Sequence, residues 1–204
     1  MTTTPGGAWD ERYAEPGWAF GEAPNDFLRE HAAALPVGRT LCLAEGEGRN
    51  AVFLAGLGHA VTGVDRSHVG LAKARGLAER HGVHLDLVQA DLGTWSLGVG
   101  TWDAIVSIFA HVPGEVRPGL HRRVVEALRP GGMLLLEAYT PAQFGRGTGG
   151  PSEAARYMSL AGLRTELAGL TFESARELER PVIEGRYHTG MAHVVQLIAR
   201  RTGA

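Results

Sequence analysis

One short segment, residues 40–50, limits the possible folds of this chain more than any other. A mostly apolar run beginning at Thr40 is followed by a turn with two glycines, Gly46 and Gly48, and then by residues that favour a helix. This order is typical of a buried parallel strand, a tight turn and a helix whose N-terminus faces a ligand. Glycine is expected there because a side chain would keep the backbone away from the bound molecule. The spacing from Gly46 to Ala51 also fits a dinucleotide-binding fingerprint, so the turn alone leaves the ligand open.

The rest of the chain alternates strand and helix signals. A helix is indicated between an N-cap at Ser67 and a glycine stop at Gly82, and another by apolar residues at every fourth position over Val116–Leu128. Shorter helices are expected near 24–34 and 159–167. The strand signals after the glycine turn are Ala60–Val64, Leu85–Ala90, Trp102–Ile108, Gly132–Ala138 and two segments near 171–178 and 192–199. The alternation predicts an α/β fold with a doubly wound, mostly parallel seven-stranded sheet and helices on both faces.

Polar residues follow the strands where a ligand of such a sheet would bind, at the carboxyl ends. Asp65 ends the second strand, roughly 20 residues beyond the glycine turn, where an acid accepts hydrogen bonds from ribose hydroxyls. Asp91 follows the third strand and could bind an adenine amino group or cap a helix. Leu92 would offer its backbone N–H and its side chain to the ring.

Several motifs resemble the class I S-adenosylmethionine-dependent methyltransferases. The turn Arg129-Pro130-Gly131-Gly132 before an apolar strand is frequent in that family and has no counterpart in dehydrogenases. A closer resemblance, to the small tellurite-resistance and thiopurine-methyltransferase-like branch, covers nearly the whole chain. Its motifs are Trp9-Asp10-Glu11-Arg12-Tyr13, Phe20-Gly21, Pro24-Asn25-Asp26-Phe27-Leu28, Gly46-Glu47-Gly48-Arg49-Asn50-Ala51, Ile105-Val106-Ser107-Ile108-Phe109-Ala110-His111 and Glu184-Gly185-Arg186-Tyr187-His188.

The resemblance implies a single methyltransferase domain over residues 1–204, in which residues 1–35 form an N-terminal helical cover. It implies S-adenosylmethionine as the cofactor, S-adenosylhomocysteine as the product, and in-line methyl transfer to a small soluble acceptor such as a thiol or a chalcogen oxyanion. Two alternatives stay open. One is an NAD(P)-dependent oxidoreductase, which shares the glycine turn, and the other is a non-catalytic cofactor-binding protein of the same fold.

The first strand departs from the family pattern at two positions. Where the family usually has an acid and then a glycine, this chain has Cys42 and Ala44, while Glu45 precedes Gly46. Either the acid has moved to Glu45, or its contact with the cofactor's amino group passes to water and backbone. Ala44 is still small enough for close backbone approach.

The resemblance also assigns candidate residues to the two halves of the site. The cofactor candidates are Arg12, Ala44, Glu45, Gly46, Gly48, Asn50, Asp65, Arg66, Asp91, Leu92, Ser107 and Ile108. Arg12 would pair with the cofactor carboxylate or, alternatively, form a surface ion pair. The acceptor candidates are His111, Tyr139, Tyr187 and His188. His111 could be a general base or an orienting histidine. The alternative for the other three is a loop residue packed on the core.

The amino-acid composition narrows the class of protein further. A chain of 204 residues with 44% hydrophobic content can bury a core without disulfides or metals, and no cluster has metal-ligand spacing. A net charge of -2 argues against a nucleic-acid partner. No segment approaches the ~20 apolar residues of a membrane span, and the N-terminus does not resemble a signal peptide. We therefore expect a cytoplasmic protein, a monomer or homodimer, with a small-molecule acceptor and no membrane partner. Cys42 is expected to be buried.

Two segments could cover the site. Residues 9–27 carry several aromatic side chains and Arg12 on a stretch interrupted by glycine and proline. We predict that this segment is a lid that orders over the cofactor. The alternative is an ordinary helix packed on the sheet edge. The glycine-rich segment 145–151 is either a second lid or a connector.

Overall fold

A seven-stranded sheet forms the middle layer of the molecule. The computed structural model describes residues 6–203. The strands are β1 Arg39–Leu43, β2 Ala60–Asp65, β3 Asp86–Gln89, β4 Trp102–Ile108, β5 Leu128–Tyr139, β6 Leu170–Glu184 and β7 His188–Arg201. The helices are α1 Gly7–Ala14, α2 Asp26–His31, α3 Arg49–Gly56, α4 His68–His81, α5 Arg117–Ala127 and α6 Leu160–Glu166, with short 3-10 turns at Ala32–Ala34, Pro141–Gln143 and Ala154–Arg156.

The strand order is β3-β2-β1-β4-β5-β7-β6. Strands β1 to β5 pair in parallel, and β7 pairs antiparallel with both β5 and β6. The chain moves outward from β1 to β3 and then returns to place β4 on the other side of β1. This reversal leaves a crevice at the carboxyl ends of β1 and β4, the usual ligand position in such sheets. The predicted α/β, mostly parallel, doubly wound architecture is confirmed.

The two faces of the sheet bury different hydrophobic clusters. Successive side chains of a strand point to opposite faces. Leu41 therefore packs in a cluster with Leu120 of α5, while Cys42 packs in a second cluster with Leu54 of α3 and Leu77 of α4. Cys42 is buried, as predicted, and helices cover both faces.

The helix boundaries follow local signals closely where caps are present. The Ser67 hydroxyl accepts a hydrogen bond from the Gly70 N–H at 3.1 Å, and α4 ends at Gly82 in the left-handed conformation. Helix α2 and the 3-10 turn after it occupy the segment near 24–34 where a short helix was expected. Helix α1 precedes it, and its buried Tyr13 packs against the glycine turn. Residues 1–5 of the expected cover lie outside the described residues.

The C-terminal strands are longer than predicted. β6 has 15 residues and β7 has 14, and they pair along their whole length as one hairpin. The turn at residues 129–132 lies within β5, with its first three residues exposed. Within residues 6–203, no helix combines the length and apolar character needed to cross a bilayer.

Candidate active site

A cavity of about 630 Å³ opens at the crevice and extends beneath α1. Its volume lies within the usual range of ligand sites, ~300–1,000 Å³. The sequence-predicted residues that line it are Arg12, Ala44, Glu45, Asn50, Asp65, Arg66, Asp91, Leu92, Ile108, His111 and His188. Those outside the lining are Gly46, Gly48, Ser107, Tyr139 and Tyr187. The strand ends therefore converge on one site.

The two glycines of the turn are required by the chain's own packing. Both have positive φ, 60° at Gly46 and 94° at Gly48. A Cβ at Gly46 would lie 2.5 Å from the Tyr13 hydroxyl, and one at Gly48 would lie 2.7 Å from Cα of Ala74. Approach to a ligand was the predicted reason for glycine here. The structure supplies a different one, the packing of α1 and α4 on the turn.

Glu45 lies at the start of α3 and acts as its cap. Its Oε1 accepts hydrogen bonds from the backbone N–H groups of Asn50 at 3.1 Å and Ala51 at 2.8 Å. Gly48 is the N-cap residue and has no side chain to do this. Burial raises the pKa of Glu45 to about 7, and the nearby Asp65 charge adds to the effect. Glu45 is therefore a structural cap that also lines the cavity.

Asp65 joins the tip of β2 to the glycine turn. Its Oδ2 accepts from the Gly46 N–H and its Oδ1 from the Ser67 N–H, both at 2.8 Å. The side chain is 6% exposed, and this burial raises its pKa. Each carboxylate oxygen has a further lone pair that a ribose hydroxyl can use.

The ends of β1 and β4 carry strained backbone. Ala44 has φ of 50° and Phe109 has φ of 51°, and among the described residues they are the two non-glycine residues with positive φ. This conformation costs about 1–2 kcal/mol in L-residues, and such strain is concentrated at functional sites. Ala44 occupies the family's glycine position, and its φ shows why glycine suits it.

The loop after β3 is held by its own polar groups. Asp91 Oδ1 accepts from the Gly93 N–H at 2.7 Å and so stabilises a turn; among the described residues no helix begins here for it to cap. The Arg123 guanidinium donates to the carbonyl oxygens of Leu92 and Trp95. The sequence analysis missed Arg123, because its α5 position gives no local sign of this role.

Arg12 is stacked between two aromatic rings. Its Cζ lies 4.9 Å from the Trp9 ring centroid and 4.5 Å from that of Tyr187. Within residues 6–203 it forms no salt bridge within 4.0 Å, so its charge faces the cavity without an acidic partner. The Tyr187 hydroxyl donates to Glu15 at 2.7 Å and thereby fixes one of the two rings.

His111 has both ring nitrogens engaged. Its Nδ1 lies 2.9 Å from the Arg156 carbonyl oxygen, which can only accept, so Nδ1 carries the proton. Its Nε2 accepts the Tyr139 backbone N–H at 3.2 Å. Burial lowers the pKa of His111 to about 4. These contacts fit the orienting interpretation, because both ring nitrogens already have backbone partners.

His188, unlike His111, has a buried ring nitrogen without a hydrogen-bond partner among the described residues. Its ring packs against Phe20 at 4.5 Å, Phe109 at 4.8 Å and Tyr139 at 5.2 Å between centroids. Its Nδ1 is buried without a hydrogen-bond partner among the described residues, as is the hydroxyl of Tyr139. Nδ1 lies 3.9 Å from Glu184 Oε2. Of the two histidines predicted to line the acceptor pocket, His188 is therefore the one whose ring nitrogens form no hydrogen bond to the backbone of the described residues.

A buried polar network supports this end of the site. Glu137 is 0% exposed and bonds Arg180 Nε at 2.6 Å and Asn25 Nδ2 at 2.6 Å. Glu184 bonds Asn25 at 2.7 Å and Arg49 at 2.6 Å. The sequence analysis did not foresee this network. The buried carboxylates sit in strand segments that resemble ordinary apolar or exposed strands.

Comparison with known proteins agrees with this geometry. Residues 41–132 match the family model described as a methyltransferase domain. The 2-heptyl-1-hydroxyquinolin-4(1H)-one methyltransferase of Mycobacteroides abscessus is 26% identical over 149 residues, which are 72% of this chain. The alignment covers 66% of that relative, just under two thirds.

Solved structures of other proteins share the fold. One, from a study of the conversion of a disulfide bond into a thioacetal group during echinomycin biosynthesis, has a TM-score of 0.71 at 23% identity, over 88% of this chain and 83% of its own. TehB from Haemophilus influenzae has a TM-score of 0.71 at 19% identity, over 87% of this chain and 62% of its own. The chain therefore matches a methyltransferase domain over residues 41–132, and the cofactor that this domain implies is S-adenosylmethionine.

The cavity suits that cofactor in its donors and acceptors. Asp65 offers carboxylate lone pairs, Leu92 offers an apolar surface beside the β3 loop, and Arg12 offers a cation without an acidic partner within residues 6–203. These are the groups that ribose, adenine and an amino-acid carboxylate require.

Proposed function

We propose that this protein transfers a methyl group from S-adenosylmethionine to a small acceptor by in-line displacement. One observation carries the proposal. A single cavity runs from the glycine turn and Asp65 to an aromatic region around Phe109 and His188, so a donor and an acceptor could meet inside it.

The cofactor half of the proposal assigns Asp65 to the ribose, Asp91 and Leu92 to adenine, and Arg12 to the carboxylate. When bound, S-adenosylmethionine supplies a methyl group on positively charged sulfur. The protein's task is then to orient an acceptor in line with that methyl group, which is worth on the order of 7–11 kcal/mol when the geometry is right. The strained tip of β4 at Phe109 is where the two halves adjoin.

For the acceptor we infer a planar heteroaromatic molecule with an acidic hydroxyl or thiol. Four rings support it: Trp9, Phe20, Phe109 and His188 all line the cavity and offer flat apolar faces. The relative named above methylates a hydroxyquinolinone by its name, which belongs to this class. A simple thiol or a chalcogen oxyanion, expected from the sequence, uses less of these faces and stays a second candidate.

The test begins with calorimetry on the purified full chain. We expect S-adenosylmethionine and S-adenosylhomocysteine to bind and NAD not to bind. Asp65→Asn should weaken S-adenosylmethionine roughly 10- to 100-fold, the scale of about 1.5–3 kcal/mol for a hydrogen bond to a charged group. Asp86→Asn on β3, whose side chain is 70% exposed, is the matched control and should bind as wild type does.

Turnover is then measured with labelled methyl donor on hydroxyquinolinones, thiopurines, small thiols, selenite and tellurite. Methylation of the planar heteroaromatics at the highest kcat/KM is the expected result. Cofactor binding without turnover on any acceptor would favour the non-catalytic alternative. Binding of NAD in place of S-adenosylmethionine would refute the proposal.

A further inference from the structure

His188 and Glu184 form a buried pair at one end of the cavity. His188 lines the cavity with a side chain that is 12% exposed, and Glu184 lies behind it with 4% exposed. The two residues flank the turn between β6 and β7. Nδ1 of His188 points toward Glu184 Oε2 across 3.9 Å, which is too long for a hydrogen bond but close enough for a strong electrostatic effect in a buried place.

The carboxylate of Glu184 is rigidly held. Its Oε1 accepts from Asn25 Nδ2 at 2.7 Å and contacts Arg180 Nη2 at 3.4 Å, while its Oε2 accepts from Arg49 at 2.6 Å. Burial raises the pKa of Glu184, but the neighbouring His188 and Arg49 outweigh this effect and lower the pKa to about 2. The negative charge beside His188 is therefore permanent at physiological pH.

We propose that His188 is the general base of methyl transfer and that Glu184 is the positioning residue that stabilises its protonated form. This inference rests on the proposed function. It applies to acceptors that arrive with an O–H, N–H or S–H proton. With Nδ1 turned to Glu184, Nε2 is the nitrogen left to take that proton from an acceptor in the cavity.

The step balances in atoms and charge. The acceptor atom forms a bond to the methyl carbon and its proton passes to Nε2 of His188, giving an imidazolium beside the Glu184 carboxylate. The bond from carbon to sulfur breaks with its electron pair on sulfur, which loses its positive charge. His188 then releases the proton to water, so the products are the methylated acceptor, S-adenosylhomocysteine and one proton.

The surroundings keep His188 neutral before the reaction. Arg49 of α3 and Arg12 of α1 disfavour a further positive charge, Glu184 favours one, and the rings of His111 and Tyr139 complete the titratable groups that face it. Burial is the largest influence and lowers the pKa of His188 below its ordinary 6.5. A neutral imidazole at pH 7 is the form that can accept a proton.

The experiment compares acceptors of one heteroaromatic series whose hydroxyl pKa values lie above or below the assay pH. His188→Gln keeps a polar side chain, and His188→Phe keeps the ring packing. For both, kcat should fall roughly 100- to 1,000-fold on acceptors that are protonated at the assay pH, and by less than about 3-fold on acceptors already ionised. His84→Gln, at a side chain that is 87% exposed, is the control and should leave kcat unchanged on both.

Two further measurements separate the possible failures. The wild-type kcat/KM on protonated acceptors should rise with pH through a midpoint below 6.5 that both variants lack. By NMR titration, Glu184→Gln should lower the His188 pKa. An equal loss of kcat on all acceptors in the His188 variants would overturn the assignment of His188 as the general base. An unchanged His188 pKa in Glu184→Gln would overturn the positioning role of Glu184. If Glu184→Gln does not fold, the acceptor series on the His188 variants decides the base. A wild-type protein that methylates no acceptor refutes the proposed function and this inference with it. A loss of kcat in the His188 variants that is confined to protonated acceptors supports both.

Discussion

At the scale of single residues, two buried acids define the chemistry of the glycine turn. Glu45 caps α3 and Asp65 holds the turn, and burial raises the pKa of both carboxyls, with the Asp65 charge adding to the effect at Glu45. A pair of acids with perturbed pKa values at one end of a cavity is a mark of a functional site. The same burial has a measurable effect on stability.

Glu45→Gln should make the protein more stable above neutral pH. Because the folded pKa is about 7 against an ordinary 4.5, the carboxyl contributes most to stability below pH 4.5 and loses that contribution as pH rises through 7. Glutamine keeps the acceptor oxygen that caps α3 but does not ionise. The free energy of unfolding is measured in urea without cofactor. The variant's value minus the wild-type value should be about 1–3 kcal/mol larger at pH 8 than at pH 5.

Glu79→Gln, on the exposed face of α4, serves as the control for this measurement. This variant removes an exposed carboxyl, so the difference between its free energy of unfolding and that of wild type should be the same at both pH values. A Glu45→Gln variant whose difference is also independent of pH would mean that Glu45 titrates normally in the folded protein.

At the scale of elements, the N-terminal cover has two parts with different attachments. Residues 15–25 are bound by side chains of the glycine turn and α4, with Glu47 Oε2 accepting from the Ala19 N–H at 2.8 Å and Lys73 donating to the Gly17 carbonyl at 2.7 Å. Helix α1 is held by Tyr13 on the glycine turn and by the Ser67 hydroxyl, which donates to Asp10 at 2.6 Å. α1 is also the part that lies over the cavity and carries Arg12.

The lid hypothesis therefore becomes a prediction about α1. Hydrogen exchange followed by mass spectrometry should show residues 7–14 gaining protection when S-adenosylhomocysteine is added, because Arg12 acquires an anionic partner. Residues 17–27 should be equally protected with and without it. Equal protection of α1 in both states would make the whole segment a fixed cover, and a gain across 17–27 would restore the longer lid.

At the scale of the whole molecule, the β6–β7 hairpin and the N-terminal cover are joined through one buried polar network. Arg180 of β6 bonds Glu137 of β5 through two nitrogens at 2.6 and 2.7 Å, and Asn25 of the cover bonds the same carboxylate. Removing one partner of a buried ion pair leaves an uncompensated charge and typically costs about 3–5 kcal/mol.

Arg180→Met should accordingly destabilise the fold by about 3–5 kcal/mol in urea unfolding, since it leaves the fully buried Glu137 without its main cation. Arg29→Met removes an ion pair to Asp26 whose side chains are 53% and 47% exposed, and it should cost at most about 1 kcal/mol. Similar losses in the two variants would show that the buried pair contributes no more than an exposed one.

Local rules explain which features of the fold could be predicted from the sequence. The strand, turn and helix around Gly46 and Gly48, the capped α4 and the alternation of strands and helices each depend on neighbouring residues, so the α/β fold and the strand ends at Asp65 and Asp91 were predictable. Once the sheet order is known, parallel strands bring their carboxyl ends to one edge, and most of the candidate cofactor residues line one cavity there.

Tertiary contacts, in contrast, determine which histidine of the cavity has both ring nitrogens bonded to the backbone. Glu184 meets Arg49 and Asn25 from 135 and 159 residues away along the chain, and His111 loses both nitrogens to backbone groups of other segments. No local pattern encodes such contacts, because they depend on how the β6–β7 hairpin and the N-terminal cover pack on the sheet. Burial then sets the proton affinity of each group, and burial is a property of the packed molecule.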